Sequence, residues 1–144
     1  MLLRVSLPGV KVKTTRADFE VFKDAVITWQ KSLGLTDWTI YFNHDRLDGE
    51  FARTNWTAED SIAVITLSTN WDKLRPKTDD QIRQLALHEL LHVLLAPFCA
   101  EAENRYATQK QLNTVEHSII RRLETVLHGQ KENGGSVSTK GQSA

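Results

Sequence analysis

The segment "LALHELLHVLLAP" (85–97) places three titratable side chains in an otherwise apolar run. His88 and His92 are four residues apart, and Glu89 directly follows the first histidine. Side chains four apart in a helix lie one turn apart on the same face, so two imidazoles can bind one tetrahedral Zn²⁺ without bending the backbone. Glu89 lies about 100° around the helix from His88, beside such an ion, where a carboxylate can take a proton from zinc-bound water. The spacing predicts His88 and His92 as zinc ligands and Glu89 as the general base.

The apolar neighbours of these three residues argue against a chance occurrence of the pattern. A helix that is apolar on nearly all sides is expected to be buried, and two buried histidines with a buried glutamate are costly unless they have partners. The alternative is a pair of core histidines satisfied by other groups. We favour zinc over that alternative. The apolar neighbours are Leu85, Leu87, Leu90, Leu91, Val93, Leu94 and Leu95.

A catalytic zinc site commonly has three protein ligands and a water molecule, so a third ligand is needed. Cys99 is the only cysteine, which leaves histidines and carboxylates as candidates. In the segment 111–129, an apolar stripe recurs at helical spacing, and at about 100° per residue Glu116 falls inside it while His117 falls near its edge. We therefore favour Glu116 over His117 as the third ligand. The alternatives for Glu116 are a buried salt bridge to an arginine or an exposed position on a rotated helix. The stripe consists of Leu112, Ile119, Ile120, Leu123, Val126 and Leu127.

The sequence pattern of the first half of the chain predicts one helix followed by three strands. Thr15 with Asp18 resembles a helix cap, apolar residues follow at helical spacing, and Gly34 ends the segment. The segment 37–45 is rich in β-branched and aromatic residues and predicts a strand. Two further strands are predicted at about 51–57 and 61–68.

The second half predicts two helices and a polar tail. Thr78 with Gln81 forms a capping box, and the helix that starts there is expected to run from about 79 to 95 and to stop at Pro97. A last helix is predicted from about 109 to 128, ending at Gly129. The Gly/Ser-rich segment 129–144 is predicted to be a disordered tail.

The composition predicts one cytoplasmic domain. The chain has 144 residues, 40% of them hydrophobic and 25% charged, which fits a soluble globular protein with a real core. Lys plus Arg and Asp plus Glu both number 18, so the balanced charge argues against a nucleic-acid or membrane-surface binder. We find no secretory signal pattern and no apolar run near the roughly 20 residues that span a bilayer. We expect an extended segment at 1–15, a domain at 16–128 and the tail at 129–144.

The motif at 88–92 together with the downstream Glu116 helix resembles the zincin superfamily of metallopeptidases in its glutamate-ligand (gluzincin-like) form. The order of helix, small sheet, H-E-x-x-H helix and ligand helix is similar to minimal zincin domains of SprT-like and IrrE-like proteins and to small phage-encoded relatives. The resemblance covers about residues 16–128. It implies an α+β fold in which a small, mainly antiparallel sheet packs against the N-terminal helix, the H-E-x-x-H helix and a C-terminal ligand helix.

The resemblance also implies a function: zinc-dependent hydrolysis of a protein substrate in the cleft between the sheet and the helices. The segment 61–68 would then be an edge strand that pairs with an extended substrate. Larger gluzincins usually carry an aspartate four residues after the ligand glutamate, whereas this chain has Ile120, so no residue is assigned to support the zinc histidines.

We therefore expect a cytoplasmic zinc metallopeptidase in which a zinc-bound water is activated by Glu89. The donor that stabilises the oxyanion is open among His117, Tyr106 and Arg121. The alternative is a binding module that uses zinc as a structural staple and holds a partner without cutting it. Glu89 distinguishes the two, because a structural site needs its ligands but no general base.

Overall fold

The computed structural model describes residues 12–72 and 74–134. It is an α+β structure, as expected from the sequence, with three helices and two small sheets among these residues. The helices are α1 (Arg16–Ser32), α2 (Asp79–Glu103) and α3 (Gln109–Gly134). The strands are β1 (Val12–Lys13), β2 (Thr39–Asp45), β3 (Ala52–Thr57), β4 (Ile62–Ser68) and β5 (Asn70–Trp71).

The three-stranded sheet has the order β2-β4-β3 and is mixed rather than mainly antiparallel. β4 runs parallel to β2 and antiparallel to β3, while β1 and β5 form a separate antiparallel pair. The expectation that residues 61–68 form an edge strand is therefore wrong, because β4 is the central strand. Its apolar side chains Ala63, Ile65 and Leu67 are fully buried, and a strand this apolar gains most between two neighbours. The strand at the edge beside α2 is β3.

Helix α1 begins and ends as the sequence predicts. The Thr15 side chain accepts a hydrogen bond from the Asp18 backbone N–H, and the Asp18 carboxylate accepts one from the Thr15 backbone N–H. Gly34 follows the helix with φ +64°, a left-handed conformation that glycine adopts without steric cost. The buried residues Phe22 and Val26 contribute to the core, and α1 packs against α2.

Helix α2 begins at the predicted cap but does not stop at Pro97. Thr78 caps it by accepting from the Gln81 N–H, and the helix continues to Glu103 with the proline inside it. An interior proline removes one backbone hydrogen bond and costs about 3 kcal/mol. Leu94 and Ala96 before the proline are buried, and Phe98, Cys99 and Ala100 after it are half-buried, so packing on both sides of the proline favours continuing the helix. The local signal to stop is overridden by packing.

The expectation that no segment approaches a membrane span is wrong by length and composition, because α2 meets the criteria for a membrane-crossing helix, with a mean hydropathy of 1.4 over its most apolar stretch. Such a match is weak, because the central helix of a globular core meets the same criteria. In this structure α2 packs against α1, α3 and β3, and eight of its residues are buried. The packing is that of a core helix.

The predicted N-terminal segment 1–15 and the predicted C-terminal tail 129–144 lie partly outside the described residues. Helix α3 passes the predicted end at Gly129 and extends to Gly134, so the first part of the predicted tail is helical. Residues 135–144, the rest of that tail, and residues 1–11 of the predicted N-terminal segment lie outside the described residues.

Candidate metal and catalytic site

The structure brings together His88, Glu89 and His92 on α2. The imidazole nitrogens and the carboxylate oxygen that each residue can offer all lie within 4.8 Å of one another, and this group can hold a metal ion. The two imidazole rings are 5.0 Å apart between centroids, with an angle of 79° between their planes. The helical spacing in the sequence predicted this grouping, because one turn of helix is enough to create it.

The three residues differ in burial. Glu89 is only 5% exposed, whereas His88 and His92 are exposed, so the expectation of buried histidines is wrong. The reason is the face that α2 turns to the core: Leu85, Glu89 and Val93 follow one another at four-residue spacing on the buried side. His88 and His92 directly precede Glu89 and Val93, so their side chains point away from the buried side and are exposed to solvent. Both imidazoles are accessible to an ion from solution, while the carboxylate is held in the interior.

Thr54 on β3 fixes the buried carboxylate. Its hydroxyl donates to Glu89 Oε2 over 2.6 Å and also lies 3.1 Å from the Glu89 backbone oxygen. Sequence reasoning missed this residue. A signal was present, since Ala52, Thr54 and Trp56 alternate with exposed residues on the inward face of β3. A threonine among core-facing positions needs a polar partner, but its identity depends on which helix packs there.

The site opens into a cleft between β3 and α2, which we call the β3–α2 cleft. Its volume is about 300 Å³. At its rim Glu50 accepts a hydrogen bond from Arg53 Nε over 2.7 Å. The cleft is lined by Glu50, Ala52, Arg53 and Thr54 on one side and by His88, Glu89 and His92 on the other.

The donor set of this cleft could hold a metal ion. Imidazoles one helical turn apart and a nearby carboxylate are residue types that bind divalent metals such as zinc. Neither His88 nor His92 forms a hydrogen bond with any residue that the structure describes, so their ring nitrogens are free to bind a metal. No described residue therefore forms a hydrogen bond that would orient either imidazole through its second ring nitrogen.

Glu116 and His117 do not join this group in the described part of the chain. Both are exposed on α3, and His117 Nδ1 lies 2.8 Å from the Asn113 carbonyl oxygen. The expected placement of Glu116 in a buried stripe is wrong. The half-buried face of α3 includes Val115 and Arg122, whereas the predicted stripe members Ile120 and Leu127 are 39% and 62% exposed. This rotation moves Glu116 away from the centre of the packed face. Its role as a metal ligand stays a prediction.

The other oxyanion candidates also lie away from the cleft. Tyr106 is 81% exposed and Arg121 is exposed on α3, and neither lines the β3–α2 cleft. The cationic side chain that does line it is Arg53. A larger open cavity of about 990 Å³ lies along α3 beside Ile120, Leu123 and Leu127, but none of the three site residues on α2 lines it.

Replacing Thr54 with valine is expected to destabilise the metal-free protein by about 1.5–3 kcal/mol, the range for a hydrogen bond to a charged group, because buried Glu89 loses its donor. Thr54→Ser keeps a hydroxyl and is expected to recover most of that loss. Urea unfolding of both variants beside the wild type measures the free energy of unfolding. Equal stabilities of the valine and serine variants would show that the hydroxyl does not stabilise Glu89.

Comparison with known proteins adds no relative to this description: no protein family, no curated protein and no solved structure matches the chain.

Proposed function

We propose that this protein is a zinc-dependent metallopeptidase with a zincin-like arrangement of sheet and helices. The observation that carries the proposal is the group of His88, Glu89 and His92, whose ligand atoms lie within 4.8 Å of one another in a cleft bordered by a strand edge. Two accessible imidazoles beside a buried, oriented carboxylate supply metal ligands and a general base from one helical turn.

In this proposal His88 and His92 hold the metal and Glu89 moves the proton. Zinc held there would supply Lewis-acid chemistry for the attack of water on the scissile carbonyl. Glu89 accepts the proton of the attacking water and delivers it to the leaving amine. Thr54 donates to Oε2 of Glu89 and so leaves Oε1 to receive the proton. Burial of Glu89 limits the competition of bulk water for that carboxylate.

The edge strand β3 provides a binding surface for an extended substrate. One side of β3 pairs with β4, and among the described residues no strand pairs with the other side. An extended peptide can add to such an edge by backbone hydrogen bonds, with alternate side chains directed to the cleft. The predicted pairing of substrate with an edge strand thus moves from residues 61–68 to β3. The cytoplasmic location stays a prediction from the composition, and the phage relation stays an implication of the family resemblance.

Glu116 is the proposed third zinc ligand, and the zinc content of a Glu116 variant tests this assignment. Two imidazoles leave a catalytic site one protein ligand short, and Glu116 lies on α3, the helix that packs against α2. We expect Glu116→Ala to lower zinc content below one ion per chain after dialysis against a weak chelator. His117→Ala and the exposed control Glu124→Ala, measured by mass spectrometry in the same way, are expected to keep their zinc. Full retention of zinc in Glu116→Ala would exclude this ligand.

Peptide hydrolysis by the zinc-loaded protein is the test of the function. Fluorescently labelled casein, an unstructured protein, serves as a general probe, together with a library of capped octapeptides read by mass spectrometry. We expect cleavage that stops when zinc is removed by a chelator and returns when zinc is added. Stoichiometric zinc with no cleavage of any probe would favour a binding module in which the metal is a structural staple.

A further inference from the structure

A second cavity continues the β3–α2 cleft toward the segment before α2. Its volume is about 400 Å³, and it shares Glu50, Ala52, His88 and Glu89 with the cleft. Beyond these shared residues it is lined by Phe51, Arg75, Gln84 and Leu85. A molecule bound at the metal site can therefore extend one of its groups toward Arg75.

The Arg75 side chain rests on an aromatic support. Its guanidinium carbon lies 5.1 Å from the centroid of the Phe51 ring, within the range of a cation–π contact. Phe51 in turn packs edge-on against the fully buried Trp71, with ring centroids 5.1 Å apart. A guanidinium held on a supported ring loses less conformational freedom when it binds an anion than one on a free side chain.

Arg75 lacks an acceptor within the part of the chain that the structure describes. Its Nε is buried and has no hydrogen-bond partner, and the guanidinium forms no ion pair with a described carboxylate. The two carboxylates that line the same cavity have partners of their own: Glu50 accepts from Arg53, and Glu89 accepts from Thr54. The acids of the cavity are thus satisfied while its cation is not. Arginine stays protonated, so a half-buried guanidinium of this kind favours an incoming anion.

We propose that Arg75 is a specificity-determining residue that binds a carboxylate of the substrate beside the metal site. The proposal rests on the proposed peptidase function. The planar guanidinium matches a carboxylate, which it can bind by two parallel hydrogen bonds. In a peptide this carboxylate is either an acidic side chain near the scissile bond or the free C-terminus. The chemistry of recognition is the same for both.

Calorimetric binding of metal-directed peptides to the zinc-loaded protein tests the proposal and separates the two sources. The neutral probe is tri-alanine amide with a succinyl hydroxamate at its N-terminus. Two further kinds of probe carry either glutamate at one of the three alanine positions or a free C-terminal acid in place of the amide. We expect one kind of carboxylate probe to bind about tenfold more tightly than the neutral probe, the gain of a charge-assisted hydrogen bond. The tighter kind identifies the source of the carboxylate.

Variants at Arg75 assign this preference to its guanidinium. Arg75→Gln is expected to bind all probes with the affinity of the neutral one, and Arg75→Lys is expected to keep part of the preference because it keeps the charge. Arg105→Gln, which removes an exposed arginine outside both cavities, is the matched control and is expected to bind like the wild type. Unchanged unfolding temperatures confirm that the variants fold.

The remaining outcomes separate the role of Arg75 from the peptidase function. Hydroxamate binding without preference for any carboxylate in the wild type overturns the role of Arg75 and leaves the peptidase proposal intact. A preference that persists in Arg75→Gln also overturns it. A protein that binds no zinc contradicts the proposed function and this inference together.

Discussion

Glu89→Gln is expected to lower the rate of peptide hydrolysis by about 10²–10⁴-fold, the contribution of a positioned general base, without loss of zinc. Glutamine has nearly the same shape as glutamate but cannot accept the proton of the attacking water. The Thr54 hydroxyl, which donates to Oε2 of Glu89, can rotate to suit a side-chain amide, so the buried contact is kept. The measurement is the cleavage rate of casein or of a selected octapeptide by the zinc-loaded variant, together with its zinc content.

The matched control for Glu89→Gln is Glu124→Gln, the same change at an exposed position on α3. It is expected to retain the wild-type rate. Wild-type hydrolysis by Glu89→Gln would remove this residue as the base. Loss of zinc from this variant would instead assign Glu89 to metal binding, a result compatible with its carboxylate lying within 4.8 Å of the imidazole nitrogens.

His88→Ala and His92→Ala are each expected to weaken zinc binding by more than about 100-fold, since even the partners that merely orient metal ligands contribute about 10–100-fold. Competition with a chromophoric chelator measures the affinity. The wild type is expected to bind about one zinc per chain, because described residues form one such group and catalytic sites hold a single ion through it.

Thermal unfolding gives an independent reading of the same site. A ligand that binds only the folded state stabilises it by about 2.7 kcal/mol at a concentration 100 times its Kd. Zinc is therefore expected to raise the Tm of the wild type but not that of His88→Ala or His92→Ala. Because both histidines are exposed, their loss is expected to leave the Tm of the metal-free protein nearly unchanged. His117→Ala, which replaces another exposed histidine, is the control expected to respond to zinc like the wild type. Equal zinc responses in all four proteins would contradict the site.

Local sequence patterns predicted correctly those features that depend only on contacts between residues three or four apart in the chain. The cap at Thr15, the start of α2 after Thr78 and the grouping of His88 with His92 are confirmed, because each depends on side chains three or four residues apart. The α+β class follows in the same way from helical and alternating patterns. These interactions are present in any fold that contains the element.

Tertiary packing determined those features that depend on which face of a helix or strand is buried against its neighbours. It continued α2 beyond Pro97, placed β4 in the centre of the sheet and left Glu116 exposed on α3. In each case burial of apolar surface from several elements outweighs a local preference, and periodicity alone does not set the rotation of a helix or the order of strands.

The polar partners of the site residues also depend on contacts between residues far apart in the sequence. Thr54 donates a hydrogen bond to Glu89 across 35 positions of the chain, and Arg75, in the segment before α2, lines a cavity together with Phe51 and His88. The sequence by itself determined which residues on one helical turn can bind a metal. Only the tertiary structure determined that Glu89 is buried and oriented while the histidines face solvent, because burial and hydrogen bonding of a side chain depend on the elements packed around it.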